Sequence, residues 1–281
     1  MRLPLIATLL LAGQAVASEP HVHLYRPSIH PESAKAGLTM QYFGGPVLSA
    51  VKVEVVFWGP SVAPATVAGI SGFLGALANS TYVDQLAQYA TNRTGVNGHV
   101  GTNQKIGRGR VIGTVAITPV NTSTTLTDAA VRGELLHQIT TGKLPQRDPN
   151  ILYLVYFPAG TTIKLGSSTS CVQFGAYHGA TPGKVGKSNL FYGVMPDCGG
   201  GFVSQTVVSS HEFAEAVSDA IPTPGSSPAY PQAWNDAGGN EIGDLCEGSN
   251  ATLTTPTRSY GVQEIFTNST NACAAGNFVS P

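Results

Sequence analysis

Apolar residues recur along this chain with two different periods, and the change from one to the other lays out its elements. Val51 to Trp58 is apolar except at Lys52 and Glu54 and is stopped by Gly59 and Pro60, which predicts a buried strand. Small residues from Pro64 to Ala78 predict a helix, and Tyr82 to Tyr89 a second one. A strand is expected over Arg110 to Thr118. Thr127 and Asp128 then cap an amphipathic helix reaching about Thr141. Asn150 to Phe157 is a strongly apolar strand, with further strands expected over Val172 to His178 and Asn189 to Met195. After Gly199 to Gly201 the period returns to that of a helix. Val207, Val208, Phe213, Ala214, Ala216 and Val217 supply its apolar positions through Asp219, and neither Pro nor Gly interrupts it before Pro222. This order predicts an α/β (or α+β) fold: a central mixed sheet flanked by helices, followed by a long irregular C-terminal tail. Residues 38–281 are expected to form a single globular domain.

Composition adds a compartment. Arg2, the apolar run Leu3 to Leu11 and the small residues Ala15, Val16 and Ala17 read as a signal peptide over residues 1–18. The run is shorter than the ~20 apolar residues a membrane span needs, and no later segment reaches that length. Residues 19–37, with His21, His23, His30 and three prolines, read as a flexible leader or pro-segment. An exported protein is expected, with no membrane partner and, at a net charge of −1, no nucleic-acid partner. A monomer is expected.

Four cysteines, Cys171, Cys198, Cys246 and Cys273, imply two disulfides in such a compartment. Sequential pairing closes the shortest loops and is preferred here. A Cys-ligated zinc site is disfavoured by the absence of CxxC spacing. Sequons at Asn79, Asn92, Asn121, Asn250 and Asn268 mark candidate glycosylation positions.

Charge singles out the last helix. From Lys187 to Arg258 no Lys or Arg intervenes, yet the interval holds Asp197, Glu212, Glu215, Asp219, Asp236, Glu241, Asp244 and Glu247, half of the 16 acidic residues. On a helix His211 and Glu215 share a face, Asp219 follows one turn on, and Glu212 points about 100° away. Carboxylates crowded without cations repel one another, and a bound divalent cation neutralises such a cluster. The alternative is a solvated acidic face, or carboxylates that cap helices and turns. The segment Ala233 to Gly248 offers further oxygen ligands at Asp236, Glu241 and Asp244, without EF-hand spacing. Trp234 is read as a packing residue.

Two resemblances follow from these residues. A helix beginning His211-Glu212 behind a sheet resembles the organisation of zinc metalloproteases (zincins), whose signature is HExxH. Position by position, His211 matches the first ligand and Glu212 the general base. Glu215 stands where the second His would be, and Ile221 where an extended signature has a third. The stretches Tyr42 to Ser49, Val55 to Gly59, Ser210 to Val217 and Asn240 to Gly248 together resemble the phosphate-induced/EXORDIUM-like secreted proteins and their microbial relatives. That likeness spans most of residues 42–248 and implies an extracellular or cell-wall protein.

The expected function is therefore a zinc-dependent, peptidase-like hydrolase acting on a peptide or cell-wall substrate. His211, Glu215, Asp219, Asp236, Glu241 and Asp244 are its candidate ligands, and Glu212 the base. His178 or Tyr192 is the candidate oxyanion donor. The competing expectation is a non-catalytic protein with a structural calcium or zinc site. A third is a metal-free core in which His211 bonds a carboxylate.

Overall fold

Val51, Val53, Val55 and Phe57 alternate with Glu54, Val56 and Trp58, and both sets are buried. A strand with two buried faces requires covering layers above and below it, and the computed structural model shows both. It describes residues 21–25, 38–181, 188–222 and 227–276. The residues read as a signal peptide lie outside these.

The main sheet has six strands: β1 His21–Tyr25, β2 Ala50–Trp58, β3 Gly107–Ile117, β4 Ile151–Tyr156, β5 Ala176–Thr181 and β6 Leu190–Met195. Their spatial order is β1-β5-β6-β4-β2-β3. Strands β6, β4, β2 and β3 run parallel, whereas β5 is antiparallel to both β6 and β1. The sheet is thus mixed. Of the segment read as a flexible leader, residues 21–25 are described, and their backbone forms the edge strand β1.

Among the described residues four α-helices flank the sheet: α1 Pro64–Ala78, α2 Thr81–Leu86, α3 Asp128–Thr140 and α4 Gly201–Ser218. Residues of α1, α2 and α4 join Val53, Val55, Leu152, Leu154 and Phe191 in one core on one face. On the other face α3 packs Val131, Leu135 and Ile139 against Val56, Tyr153, Val155 and Tyr192. Thr127 caps α3 as expected, its hydroxyl accepting from the Ala130 amide at 3.2 Å. The strand expected over Val172 to His178 begins only at Ala176, because Cys171 adopts a left-handed φ of 63° in a turn ahead of it. Helix α4 starts six residues earlier than the apolar pattern predicts.

The chain beyond α4 is mostly loop, with two short hairpins, Asn250–Thr254 with Ser259–Gln263 and Ile265–Thr267 with Ala272–Ala274. Both disulfides pair in sequence order, Cys171 with Cys198 and Cys246 with Cys273. The second fastens the acidic loop to the last hairpin. No helix among the described residues is long and apolar enough to cross a membrane. Asn79, Asn92, Asn121 and Asn250 are exposed. Asn268 differs: it is half-buried, its side chain accepts from the Met40 amide at 2.8 Å, and it donates to the Met40 carbonyl at 2.9 Å.

Candidate metal centre

Gly199, Gly200 and Gly201 lie consecutively in the left-handed region, with φ of 86°, 76° and 67°. Such a turn, disfavoured for side-chain-bearing residues, leads from β6 into α4. The helix then runs beneath the hairpin that ends at Gln263, against α1, β5 and β6. From Val208 to Ala220 every residue is buried. Burial of the apolar positions drives this placement, and it carries His211, Glu212, Glu215 and Asp219 out of water with them.

Two groups of potential ligands form around Glu215. In the first, His211 Nε2 lies 3.0 Å from Glu215 Oε1 and 3.9 Å from Asp244 Oδ1. In the second, His178 Nδ1 lies 3.2 Å from Glu212 Oε2 and 3.6 Å from Glu215 Oε2. Strand alternation supplies His178: Ala176 and Ala180 join the core beneath α4, whereas Tyr177 joins the core on the other face. The other imidazole nitrogen, His178 Nε2, faces the Asp219 carbonyl at 3.3 Å and Glu241 Oε1 at 3.6 Å.

The acidic loop is held against the helix by close backbone approach. The Asp244 amide donates to Glu215 Oε1 at 3.2 Å, and Asp244 Oδ2 accepts from the Glu241 amide at 2.9 Å. A Cβ at Gly243 would come within 2.6 Å of His211 Nδ1 and 2.8 Å of Glu215 Oε1. Gln263 stitches the second side. Its Nε2 lies 2.7 Å from the Gly243 carbonyl and 2.8 Å from His211 Nδ1, and its backbone amide donates to Ser210 Oγ at 2.9 Å.

Not every expected ligand arrives. Asp219 accepts from the Ala233 amide at 2.9 Å and from Asn235 Nδ2 at 2.6 Å, which fixes the chain after α4. Asp236 accepts from the amides of Gly238 and Asn240 and from Asn240 Nδ2, all within its own turn. Neither belongs to a ligand group; both are turn-forming carboxylates. Glu241 reaches His178 only at 3.6 Å. Tyr192 lies on the far face of the sheet, where it and Tyr177 donate to Asp128 Oδ1 at 2.7 and 2.9 Å, so it cannot serve as an oxyanion donor. Trp234 packs as expected, 5.4 Å from Tyr42 and 5.2 Å from Tyr89 between ring centres, with the Arg93 guanidinium above it.

The electrostatics reflect this crowding. Burial lowers the pKa of His211. Burial, reinforced by Glu215, Asp219, Asp244 and Glu212, pushes Glu241 well above the usual carboxylate range. Burial alone raises Asp219 to about 7, against the bonds from Ala233 and Asn235. The donor set of imidazole nitrogens and carboxylate oxygens fits zinc, and the ligand atoms in each group lie within 4.8 Å of one another.

Sequence reasoning missed Gln263 and Gly243. Nothing about an isolated Gln in the tail announces that it will bond a histidine 52 residues away. Gly243, between Ile242 and Asp244, likewise carries no mark in residue type of the close approach it makes to α4. No family model matches the chain, and no curated protein or solved structure matches it either.

Proposed function

We propose that this chain is an exported metal-binding protein whose divalent cation, zinc by the chemistry of its donors, is held in the cluster under α4. The observation that carries this reading is the gathering of two imidazoles and the carboxylates of Glu212, Glu215 and Glu241, all buried, around one short stretch of helix. Carboxylates so placed lose hydration and repel one another, and a cation offsets both costs. Calcium fits less well, since it takes oxygen ligands. The exported, cell-wall character implied by the EXORDIUM-like motifs agrees with the two disulfides.

Two uses of such a site are open. A bound zinc supplies Lewis acidity toward a water or an acyl oxygen. On a hydrolytic reading Glu212, beside His211 on the helix, takes the proton from water at its carboxylate, and the substrate is a peptide or another acyl compound. The arrangement His211-Glu212 with Glu215 one turn on favours this. On the second reading the site is closed and fastens the acidic loop to α4. Burial favours that one: the side chains of His211, Glu212 and Glu215 are 0% exposed, and Asp244, at 18%, forms the open edge.

The test combines zinc analysis of the purified protein, casein and peptide hydrolysis with and without chelator, and Glu212→Gln. Chelator-sensitive hydrolysis that Glu212→Gln abolishes while zinc and melting temperature hold supports the hydrolase. Zinc without hydrolysis, and a lower melting temperature on chelation, supports the closed site. A folded chain that takes up no zinc overturns both.

A further inference from the structure

We propose that the outer edge of β3 is a docking strand for an extended, acidic segment of another protein, which lengthens the main sheet by one strand over residues 113–117. The metal cluster takes no part, since it lies under α4 on the opposite face of the sheet from α3.

Strand β3 closes one end of the main sheet, and among the described residues no strand pairs with its outer side. The register decides which of its backbone groups face outward. The Lys52 amide donates to the Asn150 carbonyl at 2.8 Å, toward β4. From Lys52 to Phe57 β2 and β4 pair without a break, so odd-numbered β2 residues turn their N–H and C=O groups toward β3. Val55 and Phe57 lie opposite Thr114 and Ala116. In a parallel pair they bond to the residues on either side of those two, which are Gly113, Val115 and Ile117. Thr114 and Ala116, both exposed, therefore point their own N–H and C=O groups outward.

The earlier part of the strand is protected against pairing and this part is not. Register shifts fall between Gly107 and Arg110 and between Val111 and Gly113, and Arg108 and Arg110 stand among them. Bulges and charges of that kind deter another chain from adding to an edge. Residues 113–117 pair with β2 one for one and include neither a charge nor a proline.

Beside this stretch lies a groove of about 450 Å³. Val115 and Ile117 line it from the strand, and His137, Gln138, Thr141 and Lys143 from α3 and the turn after it. A strand added to β3 places every second side chain in that groove, which is how edge-binding peptides are selected. The ionisable residues of its lining are His137 and Lys143, both exposed. Glu134 on α3 is engaged inward, accepting from Gln138 Nε2 at 2.7 Å and from the Val120 amide at 3.0 Å. Glu54 is buried over Gly113, and burial raises its pKa to about 7. The groove thus favours a carboxylate. A side-chain carboxylate fits better than a chain terminus, because the last turn of α3 offers carbonyl oxygens rather than N–H groups.

The experiment uses the full chain and a short, end-blocked fluorescent peptide of alternating valine and glutamate, with a valine–lysine peptide beside it. Anisotropy and amide hydrogen exchange are measured for wild type and for Lys143→Glu, a change on the exposed surface. The acidic peptide should bind wild type with a Kd below about 1 mM. Lys143→Glu should weaken it about 3–10-fold and strengthen the valine–lysine peptide. At saturation the acidic peptide should slow exchange at the Thr114 and Ala116 amides by at least about 10-fold. The proposal is overturned if the acidic peptide binds no tighter than the basic one, if Lys143→Glu alters neither, or if binding leaves exchange at Thr114 and Ala116 unchanged. A free chain that sediments as a dimer, with those two amides already protected, also overturns it and gives the edge to a second copy.

Discussion

Gly243→Ala isolates the contact between the acidic loop and α4. Gly243 has φ −78° and ψ −41°, a conformation any residue adopts, so alanine brings no backbone strain. On unfolded-state entropy alone the change would stabilise by about 0.4–1 kcal/mol. Sterics decide the sign. The new methyl meets His211 Nδ1 at 2.6 Å and both Glu215 Oε1 and His211 Cε1 at 2.8 Å, and these are side chains locked within the core. Overpacking of that kind costs about 1–3 kcal/mol. Pushing the loop outward also weakens the Gln263 bonds to Gly243 and His211, each contributing about 1 kcal/mol. The net loss is about 2–4 kcal/mol, which lowers the melting temperature by roughly 5–15 °C in a domain of this size. Calorimetry measures it directly. Gly133→Ala is the control: this exposed glycine lies within α3 with nothing near its absent Cβ, so alanine should stabilise by up to about 1 kcal/mol. A Gly243→Ala protein melting within 1–2 °C of wild type (roughly 0.5 kcal/mol) would refute the close packing of loop on helix.

Other expectations can be checked with the same purified protein. Glu54 lies buried over Gly113, and burial raises its pKa from 4.5 to about 7. The folded chain then holds this proton more tightly than the unfolded one, so the contribution of Glu54 to stability is full below about pH 4.5 and is lost as pH rises toward 7. Denaturant titrations should show Glu54→Gln removing about 1–3 kcal/mol of that slope between pH 4.5 and 7.5; an unchanged slope contradicts it. Replacing Cys246 and Cys273 together by Ala opens a cross-link with a sequence separation of 27 and should cost about 3.5 kcal/mol in the unfolded-chain entropy account, read as a fall of roughly 7–14 °C in melting temperature.

The sheet and its covering helices were legible because burial wrote itself into the sequence. Strand β2 is apolar on both faces, and Thr127 sits where a cap must. The segment before β5 misled because Val172, Phe174 and the residues around them read as a strand, whereas Cys171 turns the chain. The helix carrying His211 and Glu215 was legible for the same reason as β2, and the charge asymmetry pointed to it. What the acidic residues do was less visible. Asp219, Asp236 and Glu215 have the same chemistry on the page, and only the three-dimensional supply of donors separates them. Ala233, Asn235, Gly238 and Asn240 consume the first two. Likewise His178 reads in the sequence only as a candidate oxyanion donor at a strand end, and its place beside Glu212 and Glu215 shows once β5 is laid beneath α4. Its partner carbonyl, at Asp219, belongs to backbone and leaves no trace in residue type.

Elemental analysis of wild type beside Glu215→Gln tests the central claim most directly, because both ligand groups share Glu215. About one zinc per wild-type chain is predicted after dialysis against trace zinc, with little or none retained by a folded Glu215→Gln protein. Equal zinc in the two proteins, or none in a fully folded wild type, would contradict a cation in this cluster.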